Sequence, residues 1–507
     1  MAADKKPAKP KRPKIRISKE TTFLLKPVRK DGFIDYAAAL NARLSKGVTT
    51  KNNAAASMAE ILGPQRIDEA IRKELFFRLG VPIPPAKGQF FLDRREFARS
   101  AGAKNWRAYE DALQKEVDVG FERPWSRREF PKLAAWLDHN EEHLEKVLKA
   151  IGRPGWYHPL VVEADDEAGM PGLLLSAPLP LAHGMREIAF SLAARALLAI
   201  HDKRVPEAQR DLLACHRLAR HVATGFSVIE RFVAGAIEAI ASGGDVAMAH
   251  SGCCTRKQLE RYQSELKKLS PLPRMAGKIN YGDRLMALDS VTFLAANGPK
   301  ALKTISDLSE LSGLFDKLKA KLLYALIDWN VVLETVNDAY DRAVSAASYR
   351  DRTKRTKAMN ALRRFLRTTR LEVSDGEKLR KWMADGKANR TAISEHLGKI
   401  LVVLIVPGYQ QAMLNEDRIT TRSRLGGIAV ALERYRIANG KFPSKLTALS
   451  PRYLKKLPCD VFSGKLFVFQ RAKRGYLLYS VGGDGKDAGG DAVPPNDDIA
   501  VRMNAPK

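Results

Sequence analysis

Near its C-terminus the chain reads Tyr479-Ser480-Val481-Gly482-Gly483-Asp484-Gly485-Lys486-Asp487 and, a few residues on, Asn496-Asp497-Asp498-Ile499. Asp484, Asp487, Asp491, Asp497 and Asp498 offer charged oxygen ligands. Gly482, Gly483, Gly485, Gly489 and Gly490 offer backbone free to turn its carbonyls toward one point. A hard cation such as calcium takes about six to eight oxygens of these two kinds, so the expected chemistry is calcium binding. Two other readings share the same residues. One is an ordinary Gly/Asp surface turn without an ion. The other is a unit of the Gly/Asp nonapeptide of calcium-bound β-helices, an architecture that needs stacked copies where this chain has one. The alternating acids and closing glutamate of an EF-hand are missing.

Three further clusters could do chemistry. His139-Asn140-Glu141-Glu142-His143 fits the inverted zincin pattern, two histidines four apart on a helix with a glutamate to activate water. It lies in the amphipathic stretch Leu133 to Leu148 without an identifiable third ligand, and a solvated helix face is the better reading. Cys215-His216 with His221 could bind metal or use a thiol, but Leu212, Cys215, Leu218 and Ala219 share an apolar face, which favours core packing. Arg350, Arg352, Lys354, Arg355, Lys357, Arg363, Arg364, Arg367 and Arg370 face one acid, Asp351. An amphipathic helix with a cationic side is expected there, suited to nucleic-acid phosphates, an anionic envelope surface or an acidic partner. No phosphate loop, nucleophile elbow or dinucleotide fingerprint occurs, and no catalysis is expected.

The elements that must position these residues are mainly helical. At 507 residues, 45% hydrophobic and 28% charged, the chain has the balance of a folded globular protein, and its formal net charge of +29 predicts an anionic partner. Its four cysteines are too sparse for a disulfide scaffold. Residues 1–19, rich in Lys and Pro, read as a disordered basic tail lacking the apolar core of a secretory signal. The expectation is therefore a cytoplasmic protein, or one of the cell envelope if an export segment belongs before this start. Spacings of three and four mark helices over Ile67–Leu79, Pro131–Ile151, Arg186–Asp202, Pro206–Ala223, Val228–Ala241, Arg256–Leu269 and Leu326–Ser348. The fold expected for 20–408 is an all-α array, in one or two subdomains. The apolar run Ile400 to Val406 is closed by Pro407-Gly408 and is too short to span a membrane, so no transmembrane segment is expected.

From 409 to 507 a small α+β domain is expected. Leu425, Ile428, Ala429, Leu432 and Tyr435 share one helix face, with Gly440 and Pro443 as the stop. Leu466–Phe469 and Tyr476–Tyr479 read as a β-hairpin, and the acidic loop follows its second strand.

In order, Leu425 to Gly440, Lys441-Phe442-Pro443, Tyr453-Leu454 to Leu457-Pro458, Asp460 to Gly464, and the acidic loop resemble the soluble domain of the major pseudopilin of type II secretion. The match covers about residues 409 to 503. It implies a long helix packed on a small antiparallel sheet and one structural calcium in the loop after the last strand. Carried over residue by residue, the ligands would be the side chains of Asp484, Asp497 and Asp498 and the backbone carbonyls of Val481 and Lys486. Pseudopilins begin with a membrane anchor, whereas roughly four hundred residues precede this helix, so entry into a pilus by the family's usual route is not expected. Asp31 to Asn41, Gly47-Val48-Thr49, Asn52-Asn53-Ala54, Arg123-Pro124-Trp125 and Asp211 to Arg220 resemble a bacterial family without an established activity, several members of which carry this ending. The function expected is that of a non-enzymatic structural or interaction protein of the bacterial cell envelope; the second family carries no activity over.

Overall fold

The computed structural model describes residues 13–163, 172–298, 301, 324, 326–374, 389–473 and 475–503. It is mainly α with one small antiparallel sheet, as expected. The first helices are α1 Tyr36–Leu44, α2 Ala54–Leu62, α3 Glu69–Leu79, α4 Arg94–Ser100 and α5 Trp106–Gly120. Longer ones follow: α6 Pro131–Ile151, α7 Pro180–His201, α8 Val205–Val222, α9 Val228–His250 and α10 Arg256–Lys268. A turn at Met275–Lys278 and a π turn at Ile279–Asp283 lead to α11 Arg284–Asn297. Then come α12 Trp329–Ser348, α13 Arg352–Ser374, α14 Arg390–Ile405 and α15 Gln410–Asn439. Strands β1 Val468–Ala472, β2 Gly475–Ser480 and β3 Ile499–Met503 pair in that order.

The chain gathers into two compact units. Of the described residues, unit one holds those within 1–43, 160–178 and 276–410, and unit two those within 44–159, 179–275 and 411–507. The expected boundary at 408 lies beside the crossing at Gln410, and the C-terminal residues share unit two with α2–α10.

In unit one α12 packs against α11, α13 and α14. Gly398 of α14 permits the close approach to α12, since a Cβ there would sit 2.7 Å from the Thr335 Cβ. Arg284 is buried where α11 begins; its guanidinium donates to Asn337 (2.9 Å) and Asp341 (2.6 Å) and lies over the Phe23 ring. The basic tail needs correction over 13–19, because the Arg16 amide donates to Asn330 Oδ1 (2.7 Å) and its guanidinium pairs with Glu334. Two polar anchors on α12 thus order a segment whose composition suggests disorder. Residues 1–12 of that expected tail lie outside the described residues.

Unit two is built on α7, α8 and α9. Ser227 caps α9 and Thr255 caps α10, each in a reciprocal box with the residue three on, Glu230 or Gln258. By length and composition two helical stretches, Val228–His250 and Arg390–Asn439, are apolar enough to cross a membrane. The first is a core helix of unit two, two-thirds buried, and Pro407 interrupts the second.

The expected helix face and hairpin build one apolar cluster. Leu425, Ile428, Ala429 and Leu432 of α15 pack with Phe442, Leu449, Tyr453, Phe467, Tyr476, Leu478, Ile499 and Val501. Gly440, at φ +72°, ends α15 as its spacing predicts. The acidic loop follows β2 but does not follow the last strand. It is the connection from β2 to β3, because Ile499 and Val501 alternate into the cluster and extend the sheet.

Candidate functional site

Between Ser480 and Ile499 the loop is held by its own carboxylates. Asp484 Oδ1 accepts the Lys486 N–H (2.9 Å), and Asp487 Oδ1 accepts the Tyr479 hydroxyl (2.8 Å) and the Gly489 N–H (2.9 Å). Asp491 accepts from Val493 N–H and Asn496 Nδ2, both at 2.9 Å. These are local Asx-type turns, which Asp and Asn favour. Gly482 is required by position: its φ is +66°, and a Cβ there would lie 2.2 Å from the Asp497 carbonyl oxygen. The two ends of the loop therefore meet where only glycine fits.

The five predicted ligand residues fall in different surroundings. Val481 leaves β2 half-buried against the apolar cluster, while Asp484 and Lys486 are exposed. Asp497 Oδ2 accepts the Gly483 N–H (2.8 Å) and faces Arg418 (3.3 Å). Burial pushes its carboxyl up, but the Gly483 and Asp484 amides and Arg418 outweigh that and hold it below the usual carboxylate range. Asp498 is 2% exposed. Its Oδ2 accepts from Gly490 N–H (2.8 Å) and Ala488 N–H (3.1 Å), and its Oδ1 is buried without a hydrogen-bond partner. Burial raises its carboxyl above the usual range, and the charges of Asp487 and Asp484 push the same way. An orphaned carboxylate oxygen near two other carboxylates suits a hard cation. Among the described residues no three His, Cys, Asp or Glu side chains are grouped closely enough to hold a metal ion.

The second constellation was judged core packing from sequence, and it carries charge that periodicity does not reveal. Cys215 is buried, its thiol pushed up by burial. His216 is buried between two carboxylates of α9, with Nδ1 2.9 Å from Glu238 Oε2 and Nε2 3.0 Å from Asp245 Oδ2. Arg220 also pairs with Glu238, and the Tyr262 hydroxyl donates to Asp245. Burial opposes a charged imidazole, but Glu238 and Asp245 prevail and His216 is pushed up to about 10. Burial likewise opposes the Glu238 carboxylate, yet His216 and Arg220 hold it down at about 2. Glu238 and Asp245, seven apart on one helix, were the available sequence signal. His221 instead lies 3.1 Å from the Ile151 carbonyl and stacks on Trp156.

The zincin-like residues do not assemble. His139 packs on Phe97, Glu141 pairs with Arg195 and Glu142 with Lys146, while Asn140 and His143 turn inward. The basic segment is α13, whose Leu362 and Met359 are buried while Lys354, Lys357, Arg363, Arg364, Arg367 and Arg370 are exposed. Among the described residues none of these six makes an ion pair. Arg352, Thr353, Thr356, Lys357, Asn360 and Arg364 line a shallow groove of about 460 Å³. Compared with known proteins, the chain matches no family model, no curated protein and no solved structure.

Proposed function

We propose that this is a non-catalytic interaction protein with a pseudopilin-like C-terminal region closed by one structural calcium. Asp484, Asp497 and Asp498 would hold the ion with the carbonyls of Val481 and Lys486. The observation that carries this reading is the buried, unpartnered Oδ1 of Asp498. When bound, calcium supplies the positive charge that offsets the clustered carboxylates. Asp498 leads directly into β3, so order at this residue becomes order in the third strand, and ligand binding adds to folding stability. Arg418 is the side-chain cation that stands against Asp497. The bacterial cell envelope is the setting that the resemblance favours. Thermal melting of the full chain with and without calcium tests the proposal: a calcium-dependent rise that Asp498→Asn abolishes is expected, and no rise in the unaltered protein would refute it.

A second reading, nucleic-acid binding through α13, rests on its six unpaired exposed cations. About five phosphate contacts would give a salt slope of roughly −4 to −5 for duplex DNA. Charge reversal at Lys357, Arg364 and Arg367 should flatten it; an unchanged slope excludes this helix.

A further inference from the structure

Unit two contains a pocket of about 340 Å³ where the second half of α6 faces α2. His143 lies at its base, 5% exposed, and neither ring nitrogen has a hydrogen-bond partner. The Gln89 main chain runs beside the ring without meeting hydrogen-bond geometry. A buried imidazole with two unsatisfied nitrogens is destabilising, a cost that an apolar residue would avoid. Burial keeps this ring neutral, so it offers one donor and one acceptor.

The α6 wall is cationic. Lys146, Lys149 and Arg153 follow His143 along the helix and its end, and all three line the pocket. Lys146 also pairs with the exposed Glu142 (2.7 Å), and Arg153 donates to the Asn53 carbonyl (3.2 Å). Lys149 is exposed. The α2 wall contributes Ser57 and Glu60, whose carboxyl is raised by burial and drawn back by Arg153. The three lining cations outnumber Glu60 and the Glu142 carboxylate paired with Lys146, and a phosphate, with several oxygens to accept from more than one cation, suits that net positive wall. The volume far exceeds inorganic phosphate and falls at the lower end of small-molecule sites. The rest of its lining is Ser57, Gln89 and the His143 ring, which are suited to hydroxyls, together with the apolar Ile61 and Ala150.

We infer that this pocket binds a small phosphate monoester with a hydroxyl-bearing body: Lys146, Lys149 and Arg153 take the phosphate, and His143 meets the body. The inference is independent of the calcium loop. Its test is calorimetry on the full chain with ribose 5-phosphate, ribose and inorganic phosphate, together with NMR of the His143 ring. Saturable binding of ribose 5-phosphate is expected, with ribose silent, inorganic phosphate weaker and the His143 signals shifted. Lys146→Glu with Lys149→Glu, both exposed positions, should weaken binding by roughly tenfold or more at unchanged melting temperature. His143→Gln, which keeps a donor and an acceptor, should retain more affinity than His143→Leu. No binding of ribose 5-phosphate up to about 5 mM, near the weak end of specific affinity, would overturn the proposal. So would binding indifferent to the double charge reversal, or unmoved His143 signals. Equal affinity for inorganic phosphate would overturn the assignment of an organic ligand.

Discussion

Two of the carboxylate clusters in unit two are treated in opposite ways. Around His216 the countercharges are built in: Glu238 and Asp245 grip one imidazole from both sides, and Arg220 completes the set. In the loop before β3, carboxylates outnumber cations, Arg418 serves only Asp497, and Asp498 keeps a buried oxygen without a partner. The cost of burying charge falls only when the partner is also held in place. The first cluster is thus a fixed joint between α8 and α9. The second is a loop tied by main-chain amides and a single arginine, with one carboxylate oxygen left over.

The largest effect should come from breaking the joint. His216→Ala leaves two buried carboxylates facing each other, and denaturant unfolding should show a loss of about 3–5 kcal/mol. Calcium should not restore it. A loss that calcium rescues would mean that the two clusters are not separate.

Gly482→Ala should cost about 1–3 kcal/mol, because the left-handed φ and the contact with the Asp497 carbonyl must both be relieved. The calcium-dependent gain should fall with it, measured as the difference between two melting curves. Equal stability of the variant would show that the loop closes by another path.

Asp498→Asn has a smaller effect of opposite sign. The folded state holds this carboxyl above its ordinary value, so its charge opposes folding at neutral pH. Without calcium the variant should be unchanged or more stable by up to about 1 kcal/mol. With calcium it should gain nothing.

Acidity sharpens the contrast at the smallest scale. Glu238 is lowered from 4.5, so its contribution is present above that value and is lost as pH falls toward about 2. His216 is raised from 6.5, so its contribution is complete below that value and is lost as pH rises toward about 10. Asp498 is raised, so protons compete for it at a higher pH than for a free aspartate. Titrated by calorimetry, calcium affinity should therefore decline on acidification while the His216 joint is still intact. An affinity flat through the weakly acidic range would remove Asp498 from the ligand set.

Much of the fold was legible because its signals are local. The α15 face from Leu425 to Leu432, the Gly440 stop and the β1–β2 hairpin are patterns of period or of turn residues. The third strand was missed because Ile499-Ala500-Val501 is short and alternates over few residues. Only its pairing with β2 identifies it. Residues 13–19 were misread for a related reason: composition reports what a segment cannot bury, not the carboxylate and amide that receive Arg16.

The sequence alone determined that this protein is mainly helical, strongly basic, and closed at its C-terminus by an α+β element with a Gly/Asp loop. Helical period, turn chemistry and charge balance are properties of neighbours along the chain. Tertiary structure decided the fate of each polar residue: His216 enclosed by two acids, His143 open to a pocket, Asp498 buried with one oxygen free. The reason is physical, because the cost of a buried charge or ring nitrogen depends on which partner stands opposite. For His216 those partners stand 22 and 29 residues along the chain.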